Sequence, residues 1–253
     1  MTHVSSTLTP QAQASSPAAV SRDAISPSFV MKVFYVFAAL ALFSLAISVG
    51  GKWLGRSIAL AGHTDDTTPS EIVIGNNVIS APANMIRFDR QRRNGVAERL
   101  ELYLRWPGLD GYSDAARDDF NHARGARNII FLSFEERVMS RDMSGRLEPI
   151  YASMLVQPGT AGPGGTVLYA FNNQSGYLNE VLAVAAGPNG EAFVARCLVG
   201  ESAAESLAPC ERDILIGDDL SLSYRFPKEL LPGWRALDAA VLTTVGGFLK
   251  TGR

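Results

Sequence analysis

Two cysteines, Cys197 and Cys210, are the residues with the most definite chemistry in this chain. Their spacing does not match a zinc motif, and no pair of histidines stands near them to complete a metal site. In a reducing compartment they would be two buried thiols. In an oxidising compartment they would form one disulfide closing a short loop, worth about 3 kcal/mol in the chain-entropy model. The choice depends on the side of a membrane on which this part of the chain lies.

A group of arginines is the second candidate for chemistry, and it lies in a predicted turn region, MIRFDRQRRNG. Guanidinium groups pair bidentately with phosphates and carboxylates. The group could therefore contact anionic lipid head groups, a phosphate, or the acidic surface of a partner protein, at about 1 kcal/mol per exposed cation near a membrane. Its members are Arg87, Arg90, Arg92 and Arg93.

The alternative for this group is a solvated basic loop that is neutralised within the domain. Four acidic residues follow shortly downstream and could pair with the arginines. They are Asp110, Asp114, Asp118 and Asp119. Both interpretations stay open at the level of the sequence.

The sequence contains few features that indicate a catalytic site. Beyond the N-terminal tail the histidines are His63, in a predicted linker, and His122, in a predicted polar helix without a nucleophile nearby. No nucleophile elbow, zincin motif or phosphate-binding loop occurs. A hydrolase built on carboxylates from distant strands would leave no linear signature, so this hypothesis stays as an alternative. We predict no catalytic residue, no cofactor and no metal ligand.

The elements that would position these residues begin with an apolar segment near the N-terminus. Val33–Val49 contains no charged residue, and Tyr35 and Trp53 lie near its two ends, where amphipathic aromatic side chains prefer to sit. A helix needs about 20 apolar residues to cross a bilayer. We therefore predict one transmembrane helix at residues 29–51. A cleaved signal peptide is the alternative, since Ala46–Ser48 has small-x-small character.

The orientation of this span is not decided by the flanking charges, because Arg22 and Lys32 before it match Lys52 and Arg56 after it. Residues 1–28 are a tract rich in Ser, Thr, Pro and Ala with little to bury, which is typical of a disordered cytoplasmic tail. The cysteine pair favours an oxidising compartment for the remainder. We therefore place the N-terminus in the cytoplasm and the C-terminal domain in the periplasm.

Residues 52–70 are predicted to be a juxtamembrane segment and polar linker, and residues 71–253 a β-rich domain. In the clearest strand, Glu98–Trp106, Leu100, Leu102 and Leu104 alternate with polar residues, as a half-buried strand requires. The other predicted strands are Glu71–Ile79 (a strand and turn), Asn128–Phe134, Pro149–Val156, Thr166–Phe171, Glu180–Ala186, Glu191–Val199, Ile214–Ile216 and Leu220–Phe226.

Two helices interrupt the predicted strands. A short polar helix is predicted from Ser113, as its cap, to His122, and an amphipathic helix from Trp234 to Lys250 with its apolar residues at helical spacing. Those residues are Trp234, Leu237, Val241, Val245 and Phe248. The pattern predicts a mainly β domain, an antiparallel sandwich or partly closed barrel with a C-terminal amphipathic helix, preceded by one transmembrane helix.

Composition restricts the class of partner. The chain has 253 residues and a formal net charge of −2, without the basic surplus that nucleic-acid binders show. The remaining partners are the membrane, crossed once, and a protein of the cell envelope, with anionic lipid as an alternative. We therefore predict an interaction domain without catalytic activity.

Two segments carry a family resemblance, IVIGNNVISAPANMIRFDRQRRNGVAERLELYLRWPGLDGYS and YRFPKELLPGWRALD. They resemble uncharacterised single-pass inner-membrane proteins of alphaproteobacteria, a group without an assigned activity. The resemblance implies a bacterial inner membrane and transfers no functional residues.

Overall fold

The computed structural model describes residues 27–60 and 62–250. The chain divides into two compact units, Met1–Arg56 and Ser57–Arg253, which are described separately. Apart from its last two positions, the predicted disordered tail of residues 1–28 lies outside the described residues.

The first unit contains a single described helix, α1, at Pro27–Leu60. Its segment Ser28–Val49 has a mean hydropathy of 2.2 and is long and apolar enough to cross a membrane. A signal sequence near an N-terminus also meets this criterion of length and composition. The helix extends nine residues past the predicted end of the span at residue 51, into the predicted juxtamembrane segment.

The second unit is mainly β, as the alternation of apolar and polar residues predicted. Its strands are β1 Pro69–Ile74, β2 Asn77–Pro82, β3 Gly95–Val96, β4 Arg99–Arg105, β5 Ile129–Glu136, β6 Thr160–Ala161, β7 Val167–Ala170, β8 Glu180–Ala186, β9 Ala192–Leu198, β10 Cys210–Ile216 and β11 Leu220–Phe226. Its helices are α2 Arg117–Phe120, α3 Gly200–Glu205 and α4 Trp234–Phe248.

Eight of these strands form one antiparallel sheet in the order β4-β5-β11-β10-β9-β8-β7-β6. The other three form a small sheet in the order β2-β1-β3, in which β1 and β2 are a hairpin and β3 runs parallel to β1. The large sheet ends at β4 and β6 and does not close on itself. Of the two predicted architectures, the structure therefore has the antiparallel sandwich and not the partly closed barrel.

The inner face of the large sheet packs against the small sheet and α4 in one continuous core. Leu100, Leu102 and Leu104 of β4 are fully buried there, on the face that the alternation predicted. The apolar residues predicted along the C-terminal helix are buried as well. They are Trp234, Leu237, Val241, Val245 and Phe248.

A buried polar network ties α4 to this core. Asp238 of α4 accepts hydrogen bonds from Arg212 Nε at 3.1 Å and from the Tyr224 hydroxyl at 2.6 Å. Arg212 also donates to Ser144 Oγ at 2.8 Å and to the Val194 carbonyl at 3.0 Å. Burial, reinforced by the carboxylate of Asp238, raises the pKa of Tyr224 well above its ordinary value. The charge on Arg212 is therefore compensated entirely from within the fold.

Two predicted elements differ from the structure. The segment predicted as the strand Pro149–Val156 instead forms a helical turn at Leu147–Tyr151 and a 3₁₀ turn at Ala152–Met154, which bury Tyr151. The predicted helix from Ser113 shortens to a 3₁₀ turn and α2, and Ser113 makes no capping hydrogen bond. Both segments serve as covers over the outer face of the large sheet.

These covers reach only the two ends of the outer face. At the β4 end the cover is a cluster of Tyr103, Tyr112, Ala116, Phe120 and Ile129. At the β8–β9 end it is a cluster that includes Met143, Tyr151, Phe171, Leu182 and Val194. Tyr103, predicted on an exposed face, is buried because the first cover lies over it. The middle of the outer face stays open between the covers.

The free edge of β4 is occupied by a side chain. Gln91 Nε2 donates to the Arg99 carbonyl at 2.9 Å, and Gln91 Oε1 accepts from the Glu101 amide at 3.1 Å. The backbone amide of Arg87 donates to the Glu101 carbonyl at 2.9 Å. The amide side chain thus takes the place of a neighbouring strand, as sheet edges commonly require.

Candidate functional site

The structure does not bring the four predicted arginines into one site. Arg92 turns inward, with its side chain 9% exposed, and pairs with Asp89 at 3.5 Å. Its Nε donates to the Ile86 carbonyl at 3.0 Å and its Nη2 to the Arg87 carbonyl at 3.4 Å. Arg92 therefore holds the loop between β2 and β3 together and is not available to a ligand.

The other three arginines stay on the surface. The guanidinium groups of Arg87 and Arg90 lie 5.0 and 5.3 Å from the ring of Phe88, and Arg87 also lies 4.9 Å from the ring of Phe131. Arg90 and Arg93 line one surface cavity of about 340 Å³. Within the described part of the chain, no carboxylate forms an ion pair with Arg90 or Arg93. The anion-binding hypothesis is thereby narrowed to these two residues.

The downstream acidic residues do not neutralise the arginine group. Asp110 and Asp119 both bind Arg105, at 2.8 and 3.2 Å, and Asp114 binds Arg117 at 3.2 Å. Among the described residues, internal pairing of this group is that of Arg92 with Asp89, within the loop itself.

A second site lies on the outer sheet face, where a groove of about 250 Å³ runs beside the cover at the β8–β9 end. Small and charged side chains form its floor in rows across neighbouring strands. In one row Ser223 and Asp213 lie side by side on β11 and β10. In the next, Ser221 lies opposite Glu135. The two serine side chains are short, so the floor at these positions is lower than the cover beside it.

The segment after β5 supplies one wall of this groove through Arg146. Arg146 Nη2 donates to both carboxylate oxygens of Asp213, at 2.6 and 2.7 Å, and both side chains are largely buried. Burial raises the pKa of Asp213 above its ordinary value, although the charge of Arg146 works in the opposite direction. Since both oxygens are engaged, Asp213 positions the wall and is not free to act as a general acid or base.

Two tyrosines and Arg196 complete the groove at the β9 side. Burial raises the pKa of Tyr151 to about 12, so its hydroxyl stays protonated. The guanidinium of Arg196 lies 5.0 Å from the ring of Tyr177 and pairs with Glu180 and Glu211 at 3.6 and 3.3 Å. Burial acts against the charge of Arg196, but the two carboxylates outweigh it and leave its pKa raised. The guanidinium of Arg196 is therefore held by two carboxylates beside the Tyr177 ring.

The rim of the groove is apolar and unusually exposed. Val138 and Met139 line it and are 87% and 48% exposed. Leu178, adjacent in sequence to the lining residue Tyr177, is 70% exposed. An apolar rim around Arg and Tyr side chains resembles the composition of protein–protein interfaces, in which Tyr, Met and Arg are enriched. No histidine lines the groove.

His63, which was predicted to lie in a linker, packs into the cover at the β4 end. Its ring stacks 4.6 Å from that of Tyr112, and its Nδ1 lies 2.9 Å from the Tyr103 hydroxyl. Burial lowers the pKa of His63, although its hydrogen bond to Asn121 works in the opposite direction. His122 packs near Phe131. Across residues 27–60 and 62–250, no three His, Cys, Asp or Glu side chains are grouped to hold a metal ion.

The two cysteines are directly opposite each other on β9 and β10 and form a disulfide, with their Cα atoms 4.0 Å apart. The bond closes the loop of residues 198–209, which contains α3. Both sulfur-bearing residues are buried on the inner face of the large sheet. The disulfide therefore lies apart from the groove, which is on the outer face.

The groove was not predicted from the sequence, although part of its signal is visible there. Alternation along β10 and β11 places Glu211, Asp213, Ser221 and Ser223 on the face opposite the core. Such residues are ordinary for any solvated sheet face. What marks them as a site is the cover at the β8–β9 end, which comes from a segment distant in sequence.

No protein-family model matches this chain, and neither does any curated protein. Among solved structures, the chain is similar to two proteins of bacterial envelopes and secretion systems. One is Smlt3025, an immunity protein of the Stenotrophomonas maltophilia type IV secretion system, with 15% identity, a TM-score of 0.49, and coverage of 75% of this chain and 96% of that one. The other is FrpD, an iron-regulated outer membrane lipoprotein of Neisseria meningitidis, with 10% identity, a TM-score of 0.43, and coverage of 74% and 94%. Neither likeness carries an argument about function.

Proposed function

We propose that the protein is a membrane-anchored binding domain without catalytic activity, which acts through contacts with another protein of the cell envelope. The observation that carries this proposal is the groove on the outer face of the large sheet, with its apolar rim of Val138 and Met139. Exposed apolar residues that stand together beside polar ones are typical of protein-interaction sites.

The chemistry of the groove favours a protein as the occupant. Its charged residues are already paired with one another, as Arg146 is with Asp213, so a small ion gains little by binding there. A protein surface gains by covering apolar area and by packing against Tyr151 and Tyr177, since buried aromatic and Arg residues dominate interface energies. The groove is therefore suited to a folded partner or a loop of one.

The location we propose is the bacterial inner membrane, with the N-terminus in the cytoplasm and the domain of residues 71–253 in the periplasm. The apolar segment Ser28–Val49 supports a membrane anchor, and the disulfide between Cys197 and Cys210 supports an oxidising compartment. The resemblance to single-pass inner-membrane proteins of alphaproteobacteria agrees with this location.

Photo-crosslinking in the membrane of living cells tests the groove. A photoreactive phenylalanine analogue in place of Val138 or Met139 is expected to give a discrete cross-linked product with one partner. The same analogue in place of Leu242, which is 44% exposed on α4, is the matched control and is expected to give none. In the protein with the analogue at position 139, Val138→Asp should lower the yield of the cross-linked product about ten-fold. This factor corresponds to a loss of about 1.4 kcal/mol in binding free energy. Equal products from all three positions, or none from the rim, would refute the proposal.

A second candidate function is binding of anionic lipid or phosphate through Arg90 and Arg93. The observation that favours it is that the described residues leave both guanidinium groups without an ion pair beside a shared cavity of about 340 Å³. Arg87 does not line this cavity, and Arg92 is engaged by the carbonyl groups of the loop. Two exposed cations would contribute about 2 kcal/mol to binding at an anionic surface.

Vesicle flotation tests this second candidate. A fragment from Thr64 onward retains both sheets and should float with anionic vesicles at low salt and be released as salt rises. Replacing Arg90 and Arg93 together by Ala is expected to weaken binding roughly 30-fold, the equivalent of about 2 kcal/mol. Replacing Arg137 and Arg141 by Ala makes the same change in net charge and is expected to have a much smaller effect. Equal losses from both double variants would point to net charge alone and against a site.

A further inference from the structure

An apolar cavity of about 520 Å³ lies at the β7–β8 end of the inner sheet face, next to the disulfide. It is separate from the groove, since the two lie on opposite faces of the large sheet. Its walls are mainly aliphatic and include Leu168, Val181 and Leu231. Its volume lies in the range of small-molecule sites, about 300–1,000 Å³.

The cavity interrupts an otherwise continuous row of the core. Phe226, Cys210, Cys197 and Val181 are consecutive partners across β11, β10, β9 and β8. The first three are buried, whereas Val181 is partly exposed although it belongs to the same inner face. Protein interiors normally fill such positions to close-packed density. At Val181 the row therefore borders the cavity, which no side chain of the described residues fills.

The mouth of the cavity carries more positive than negative charge. Arg127, Lys228 and Glu229 line it, and Arg127 Nη1 lies 3.9 Å from the Glu229 carboxylate. No ion pair joins Lys228 to a carboxylate in the described parts of the chain, and Lys228 is exposed. An unpaired ammonium group at the entrance of an aliphatic cavity favours a ligand with an apolar body and an anionic end.

The remaining wall is the loop that the disulfide closes. Ala203 and Ala204 of α3 line the cavity, and α3 lies between Cys197 and Cys210 in the chain. Side chains as small as alanine on this wall leave the cavity open. The disulfide therefore fixes both ends of the wall without occupying the space that the wall encloses.

We infer that this cavity binds a long-chain fatty acid, with the hydrocarbon chain against Leu168, Val181 and Leu231 and the carboxylate beside Lys228. The apolar walls account for binding of the chain, because burial of each methylene group is favourable, and the ammonium group accounts for preference for an acid over a neutral lipid. A protein anchored in a membrane would meet such a ligand as a component of its lipid surroundings. This inference does not depend on the groove or on the partner proposed for it.

Photolabelling of the full chain in membranes tests this site. The probe is a palmitic acid analogue with a diazirine in its chain and an alkyne for detection, and the labelled peptides are identified by mass spectrometry. Label is expected in the peptides that carry Val181 and Ala203 as well as in α1, whose labelling by the bilayer serves as an internal reference. Unlabelled palmitic acid should compete for the cavity label more strongly than its methyl ester.

Three variants give the test its specificity. Val181→Trp fills the cavity and should reduce its label at least about ten-fold relative to α1. Lys228→Gln changes an exposed residue without altering the packing and should reduce it about two- to five-fold, as expected for an exposed ion pair. Glu229→Gln removes the opposite charge and should not reduce it. Label confined to α1 would overturn the inference, and so would equal competition by the methyl ester together with an unchanged Lys228→Gln variant.

Discussion

Replacing Asp238 by alanine is expected to lower the free energy of unfolding by about 4 kcal/mol. The substitution leaves the guanidinium of Arg212 buried without its counter-ion, and breaking such a pair from one side costs about 3–5 kcal/mol. It also removes the acceptor of the buried Tyr224 hydroxyl. Urea unfolding of the full chain in detergent, followed by tryptophan fluorescence, measures the change.

Two further variants separate the loss of this pair from loss of charge in general. Asp114→Ala breaks an exposed pair with Arg117 and should cost less than about 1 kcal/mol. Changing Arg212→Met and Asp238→Leu together should recover most of the stability, because apolar replacements of a buried pair are commonly neutral. If Asp238→Ala cost no more than Asp114→Ala, the network would not contribute to stability in the way described.

Removing the disulfide is expected to lower the free energy of unfolding by about 3 kcal/mol. The bond joins residues 13 apart in the chain, so it restricts a short loop of the unfolded protein. Cys197→Ala combined with Cys210→Ala should show this loss, and reduction of the unchanged protein should produce a similar one. Agreement between the two would assign the loss to the covalent bond, since only the variant also loses the sulfur atoms.

The state of these cysteines in the cell tests the proposed periplasmic orientation. The chain contains two cysteines, so mass-shift labelling of thiols reports directly on this bond. No labelling without reductant and double labelling with it are the expected results for a domain in an oxidising compartment. Free thiols in both conditions would contradict the proposed orientation.

The fold could be predicted from the sequence where apolar and polar residues alternate clearly along a strand. Strands with clear alternation, such as β4 and β11, lie close to their predicted bounds because a half-buried strand must repeat every two residues. The prediction of a strand at Pro149–Val156 was wrong because a short apolar run is equally compatible with a buried helical turn. Here the amides of Ile150 and Tyr151 both donate to the Arg146 carbonyl, which closes the turn.

The candidate sites were harder to predict than the fold, because they are formed by tertiary contacts between distant parts of the sequence. The arginine group was visible as a charge cluster, but the inward turn of Arg92 follows from carbonyl groups that only the folded loop presents. The groove joins Arg146 to Asp213 over 67 residues of sequence, and nothing local marks either residue. The cavity depends on small side chains such as Ala203, which have no functional signature in a sequence.

The Gln91 side chain has a consequence for how copies of this protein would meet at the membrane location that we propose. Molecules anchored in a membrane diffuse in two dimensions and collide often, and an open strand edge would let neighbouring copies pair into extended sheets. Along β4, the hydrogen bonds of Gln91 to Arg99 and Glu101 already occupy groups that such pairing would use. At this edge, crowding should therefore not lead to strand pairing between neighbouring copies.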